Sequence, residues 1–215
     1  MASERGPRAL GGPMNEELLQ ADLERYRQKA LELGASGAAV IPAAWVEVDE
    51  RVRLKCIVPR CDHAGLTPNC PPNAPDLDLV RRALARYRWA VLIKCDVDIA
   101  SHAPAAGTST EEPLSFHRQG NQLVEDLERL AFRDGYHLTM GFGGGSCMAD
   151  LCRGQPCQAM AGGACRFPYR SRPSMEAIGV DVMSLIHRAG WSAYAMQDDP
   201  NATPFAITVG IVFVS

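Results

Sequence analysis

The sequence has 215 residues, of which 47% are hydrophobic and 22% are charged, and its formal net charge at pH 7 is -3. This composition is ordinary for a globular protein with one sizeable core, and it excludes a disordered or fibrous chain. The slight excess of acidic residues removes any global attraction to nucleic acid or to an anionic membrane, so we expect neither as a partner.

No apolar segment approaches the roughly 20 residues that a membrane-spanning helix requires. The longest apolar run, FAITVGIVFV at 205–214, has the length of a strand. The first residues contain no apolar run of secretory length, so we expect no signal peptide and a cytoplasmic location. Residues 1–13 are rich in Gly, Pro and Arg and are expected to form a disordered tail before a single domain at 14–215.

The first half of this domain is predicted to contain two helices among extended segments. Apolar residues at helical spacing run from Asn15 to Leu33. The segments GAAVIPAAWVEVDE and RVRLKCIV are predicted to be extended, and the turn residues of PRCDHAGLTPNCPPNAP make an irregular loop after them. A second helix is expected after Pro75, and WAVLIKCDV has the continuous apolar run of a buried strand.

The second half is predicted to continue this alternation. A polar loop at 101–112 precedes a third helix from about Leu114 to Arg133, and YHLTMGF is predicted to be a strand. A further helix is expected after Ser174, with Asp181 as a second possible cap, before the strands WSAYAM and PFAITVGIVFV. The alternation indicates an α/β fold in which helices flank a mixed β-sheet, with two cysteine-rich metal-binding loops beyond the strand ends.

Eight cysteines fall into two groups and one isolated position. The reducing cytosol disfavours disulfides, and a domain of this size needs none to fold, so clustered thiols favour metal ligation. The first group is Cys56, Cys61 and Cys70, and the second is Cys147, Cys152, Cys157 and Cys165. The isolated Cys95 lies within an apolar strand, where an inert buried thiol is the expected role.

The first group is one ligand short of a closed four-coordinate site. Cys70 is followed by two prolines, and a cysteine–proline pair recurs at the last ligand of bacterial ferredoxin loops. The fourth ligand could be His63, Cys95, a non-protein group or nothing. Since an incomplete set of ligands leaves room for chemistry, we expect any reaction to take place at this loop or between the two loops.

The first three cysteines of the second group are equally spaced along the sequence, and the fourth lies near a proline. Zinc ribbons and fingers usually place two tight pairs far apart, so this run favours an iron–sulfur cubane over zinc. Nearby arginines would offset the negative charge of a cluster, or would form only a solvated patch: Arg153, Arg166, Arg170 and Arg172. Glycines at 141 and 143–145 would bring N–H groups to the sulfurs or would act as a hinge, whereas GFGGGS lacks the lysine of a phosphate loop.

Longer motifs resemble those of one family. LGASGAAVIP, VDERVRLKC, the CPP at Cys70, AFRDGY and CRFP with RPSMEAIGVDV are similar to segments of the predicted metal-binding proteins grouped as DUF2284, a domain of unknown function. The resemblance spans nearly the whole chain after Met14 and implies that the seven clustered cysteines, without Cys95, bind metal. Two departures affect loop conformation: HAGLTPN replaces a tyrosine–glycine pair, and the first two intervals of the second group exceed two residues.

Three hypotheses about function follow. The first is a protein with one or two iron–sulfur clusters, of the 4Fe-4S type, that transfers electrons or supports a partner redox enzyme. The second is a zinc-binding structural or regulatory protein. The third is an iron–sulfur enzyme with an open-coordination cluster at the three-cysteine loop. The sequence shows no recognisable Ser/His/Asp or Cys/His catalytic arrangement that would decide between a catalytic and a non-catalytic role.

Overall fold

A computed structural model describes residues 8–12, 15–97, 117–153, 155–195, 199 and 202–215. The polar loop expected at 101–112 and the start of the helix expected near Leu114 lie outside these residues, as does most of the expected tail. Within that tail, the described Arg8 forms an ion pair with Asp22 of the first helix.

A four-stranded antiparallel sheet forms the centre of the described structure. Its strands lie side by side in the order β1-β2-β4-β3. They are β1 (Gly37–Pro42), β2 (Trp89–Val97), β3 (Met140–Phe142) and β4 (Ala206–Phe213). The α/β class is confirmed, and the pairing is antiparallel in every ladder rather than mixed between parallel and antiparallel.

Most of the described helices begin after a short polar residue that caps the helix. They are α1 (Glu16–Glu32), α2 (Glu50–Leu54), α3 (Leu77–Leu84), α4 (Arg118–Arg133), α5 (Cys147–Asp150) and α6 (Val182–Arg188). For all but α4, the residue before the helix accepts a hydrogen bond from a backbone N–H of the first turn: Asn15, Asp49, Asp76, Ser146 and Asp181. None of the described helices is long and apolar enough to cross a bilayer.

Three sequence-based predictions of local structure were wrong. RVRLKCIV forms α2 and turns instead of an extended segment, because Asp49 caps the backbone at Arg51. The described part of WSAYAM, 191–195, contains no strand. Ser174 caps only a single 3-10 turn, which ends at Gly179 in the left-handed conformation, so the last helix begins at its second cap, Asp181.

Helices cover both faces of the sheet. In β2, Ala90 and Leu92 pack into a core with α3 and α6, whereas Val91 and Ile93 pack into a second core with α1 and α4. All four side chains are buried. Burial on both faces explains why this strand is continuously apolar rather than alternating.

Helix α4 lies unusually close to the sheet. A Cβ atom at Gly210 of β4 or at Gly141 of β3 would fall 2.3 Å or 2.4 Å from the side chain of Val124. Glycine is therefore required at both positions for α4 to pack where it does. This close packing places the first turn of α4 over the glycine run that leads into the second cysteine group.

Candidate metal centre

The four cysteines of the second group surround one cavity of about 240 Å³. Cys147 begins α5, the next two lie in the irregular segment that follows, and Cys165 precedes the turn at 167–170. All four thiols are free and half-buried, so the cavity lies close to the protein surface. The loop thus places the four residues that the sequence marked as one ligand set on the walls of one cavity, although no three of these described cysteines are arranged to hold a metal ion.

Three N–H groups are directed at sulfurs of this set. The backbone N–H of Phe167 donates to Cys165 Sγ at 3.4 Å, and Asn69 Nδ2 donates to Cys147 Sγ at 3.4 Å. Arg166 Nη1 lies 3.9 Å from Cys152 Sγ. Donors of this kind stabilise thiolates, and around a bound cluster they adjust its reduction potential. Three of the four cysteine sulfurs in this group thus have an N–H donor within 3.9 Å.

The first cysteine loop forms part of the same cavity. Thr67, Pro68 and Asn69 line it, and Asn69 also donates to Ser171 Oγ at 2.7 Å. These three residues end the segment HAGLTPN. Cys70 Sγ lies 3.7 Å from Ser146 Oγ, the cap of α5. The two loops therefore meet, which their separation in sequence does not predict.

The three cysteines of the first group differ in burial. Cys70 is buried, Cys56 is half-buried and Cys61 is exposed, and none of them lines the four-cysteine cavity. Burial raises the pKa of the Cys56 thiol, and negative charge at Cys61 raises it further. Among the residues that the structure describes, no three or more His, Cys, Asp and Glu side chains are arranged to hold a metal ion.

His63 and Cys95, the two side chains that could supply the missing ligand of the first group, have different surroundings. His63 is half-buried, and its Nδ1 atom is buried without a hydrogen-bond partner among the described residues. Cys95 is 2% exposed within the core formed with α1 and α4. Burial raises the pKa of its thiol. Cys95 therefore lies apart from the four-cysteine cavity.

The glycine run before Cys147 accommodates the first turn of α4. A Cβ at Gly143 would fall 1.9 Å from Asn121 Oδ1, and one at Gly144 would fall 2.5 Å from His117 Nδ1. The N–H of Gly144 donates to Asn121 Oδ1 at 3.0 Å. This N–H group therefore orients Asn121 and does not donate to a cysteine sulfur.

The four arginines near the second group have three different environments. Arg166 contacts Cys152. Arg170 pairs with Glu125 of α4 at 2.5 Å, and Arg172 pairs with Glu128 at 2.6 Å. Arg153 is exposed and makes no ion pair with any residue the structure describes. These ion pairs fasten the end of the cysteine loop to α4.

The family model for DUF2284, described as a predicted metal-binding protein, matches residues 39–213. This chain belongs to the DUF2284 family. The matched span begins within β1 and ends with the last residue of β4, so it includes both cysteine loops and all of the central sheet except the first two residues of β1. The resemblance noted from the sequence motifs is confirmed, and the description of the family predicts metal binding for its members. Searches of curated proteins and of solved structures gave no match.

Proposed function

We propose that this DUF2284 protein holds a 4Fe-4S cluster in the cavity of Cys147, Cys152, Cys157 and Cys165 and transfers electrons for a partner redox protein. The observation that carries the proposal is that all four thiols line one cavity. A 4Fe-4S cluster takes four cysteine ligands, which is the number that the cavity offers.

The size of the cavity favours a cluster over a single ion. Zinc–sulfur bonds of about 2.3 Å draw four thiolates around one atom. A cavity of about 240 Å³ is many times the roughly 10–15 Å³ of cavity space that one water molecule needs. That volume has room for a group of several metal and sulfide atoms.

The surroundings of the cavity suit a negatively charged redox group near the surface. A cluster bound here would accept and release single electrons. Arg166 would offset its negative charge, while Asn69 and the Phe167 N–H would donate to ligand sulfurs. Because the four cysteines are half-buried, a partner protein could approach closely. We place the protein in the cytoplasm, a reducing compartment in which its thiols remain free for metal.

Cys56, Cys61 and Cys70 would hold a second cluster, with a ligand set that remains one cysteine short. Their loop touches the first cavity through Asn69, so the second cluster would lie next to the first. Such a pair would allow electrons to pass within the chain before they reach the partner.

Iron and acid-labile sulfide analysis of anaerobically purified protein tests the proposal. We expect a brown protein with about four irons and four sulfides for each cluster. Replacement of Cys157 by alanine should remove the cluster of the second group. A colourless protein with stoichiometric zinc would contradict the proposal and favour the structural zinc hypothesis.

A further inference from the structure

A second cavity of about 240 Å³ lies on the other side of Cys147. Its walls are the first turns of α4, the glycines at 143 and 144, and the segment that carries Arg170 and Arg172. Cys147, Leu151 and Phe167 line both this cavity and the four-cysteine cavity. A ligand in the second cavity would therefore lie against one of the proposed metal ligands. We call this second cavity the arginine pocket.

Positive charge predominates in the arginine pocket. Four arginines and three carboxylates line it: Arg118, Arg153, Arg170 and Arg172 with Glu125, Glu128 and Asp150. The carboxylates of Glu125 and Glu128 are paired with Arg170 and Arg172, and Asp150 accepts a hydrogen bond from Asn121 at 3.0 Å. Each of the three carboxylates in the pocket thus already forms an ion pair or a hydrogen bond with another side chain of the protein.

Three sets of donors in the arginine pocket have no acceptor among the residues that the structure describes. Arg118 and Arg153 are exposed and make neither a hydrogen bond nor an ion pair with another described residue. The Nε atom of Arg172 is buried and has no hydrogen-bond partner within the described structure. Within the described part of the chain, no side chain caps the amino end of the 16-residue helix α4, whose dipole also favours negative charge.

We propose that the arginine pocket binds a small oxyanion, a carboxylate or a phosphate group, beside Cys147. Guanidinium groups present paired N–H donors that match the oxygens of both groups. The volume lies just below the roughly 300–1,000 Å³ of ordinary ligand pockets, which limits the ligand to a small molecule. The pocket adds a ligand site to the proposed electron-transfer function and does not depend on it, because α4 carboxylates hold Arg170 and Arg172.

Calorimetric titration of the full chain at low ionic strength tests this inference. Acetate and inorganic phosphate serve as separate probes, so that their relative affinities distinguish a carboxylate site from a phosphate site. We expect saturable binding of at least one of them. The double variant Arg118→Gln, Arg153→Gln should bind that anion at least about tenfold more weakly, because it lacks both unpaired guanidinium groups. Replacing the same two arginines with lysine should restore part of the affinity.

Arg133→Gln is the matched control, since Arg133 is an exposed arginine at the other end of α4. It should bind the anion as tightly as the unmodified protein. The inference is overturned if neither anion binds, or if the double variant and the control bind equally well. Iron and sulfide are measured on the same samples. Anion binding without iron would contradict the cluster proposal alone, whereas a full cluster without anion binding would contradict this inference alone.

Discussion

Asn69 is the residue that joins the two cysteine loops. Its amide group donates to Cys147 Sγ and to Ser171 Oγ, both more than seventy residues further along the chain. A neutral amide in this position can orient a metal-ligating sulfur without competing for the metal. Asn69 therefore acts as a positioning residue for the second cysteine group.

Replacement of Asn69 by alanine should leave the cluster bound and lower its reduction potential. A hydrogen bond to a cluster sulfur stabilises the reduced, more negative state, and its loss removes about 0.5–1.5 kcal/mol. Since 59 mV corresponds to a tenfold change for one electron, the potential should fall by up to about 60 mV. A potentiometric titration followed by electron paramagnetic resonance measures the shift.

Asn73→Ala is the control for this experiment. The amide of Asn73 lies in the same loop but donates to the backbone carbonyl groups of Gly65 and Thr67 and to Met160. An equal shift in both variants would mean that the loop moves as a whole. An unchanged potential in Asn69→Ala would mean that its contact with Cys147 does not affect the cluster.

Cys95 differs from the seven clustered cysteines in that we do not expect it to bind metal. Cys95→Ala should keep the full metal content, because Cys95 lies in the core and away from the four-cysteine cavity. It should lower the free energy of unfolding by about 1 kcal/mol, through the small cavity that it creates. Metal analysis and urea titration measure the two effects. Loss of iron in this variant would make Cys95 the missing ligand of the first group.

A buried ionic network connects α1 with the segment after α4. Asp22 of α1 is fully buried and accepts hydrogen bonds from Arg8, Arg25 and Tyr136. Tyr26 and Arg25 both donate to Asp134 at the end of α4. The two helices that cover one face of the sheet are thus held together by charge as well as by apolar packing.

Asp22→Asn should destabilise the fold by about 2–4 kcal/mol, since it removes a fully buried charged acceptor from two half-buried arginine donors, Arg8 and Arg25. Urea unfolding monitored by circular dichroism measures this loss. Asp126→Asn is the matched control, because Asp126 pairs with Arg129 on the open face of α4 and should change stability by less than about 1 kcal/mol. Similar losses in both variants would contradict a special role for the buried network.

The same network makes the free energy of unfolding depend on pH in the acidic range. Burial alone would raise the pKa of Asp22, but hydrogen bonds from Arg25, Arg8 and Tyr136 outweigh it and hold the pKa below its ordinary value. The contribution of Asp22 is therefore fully present above about pH 4, near the pKa of an unfolded aspartate, and is lost as pH falls through the folded pKa. In Asp22→Asn, unfolding measured between pH 3 and pH 6 should depend less on pH. An unchanged pH dependence would contradict this assignment.

Helices and strands that have a strong local sequence pattern can be predicted from the sequence. The apolar run of β2, the helical spacing of α1 and the cap at Asp181 all carry enough local signal to be recognised. RVRLKCIV was misassigned because its strand-forming residues outweighed the cap at Asp49, which also starts a helix. The strand predicted over YHLTMGF was too long, because only its last three residues, which form β3, pair with β4.

The three cysteines of the first group lie outside the four-cysteine cavity, although other residues of their loop line it. Because Cys56, Cys61 and Cys70 do not line the four-cysteine cavity, replacing all three with serine should leave one cluster in the second group. Iron should fall from about eight to about four atoms for each chain if both groups are loaded in the unmodified protein. Iron and sulfide analysis checks the ratio. Loss of all iron would show that the two groups form a single site.

At the scale of the whole molecule, α4 positions the second cysteine loop. Glycines at 141 and 210 let this helix pack closely on the sheet, and its carboxylates hold Arg170 and Arg172 at the end of the second loop. The seven clustered cysteines are evident from the sequence. The contact between Asn69 and Cys147 and the arginine pocket are not, because both depend on how distant segments pack around α4.

X-ray absorption at the iron and zinc edges of anaerobically purified protein tests most directly whether the four-cysteine cavity holds a cluster. We expect iron with sulfur neighbours and a second shell of iron–iron scattering, both reduced in Cys157→Ala and unchanged in Cys95→Ala. Zinc with four sulfur neighbours at about 2.3 Å and no metal–metal scattering would contradict the cluster.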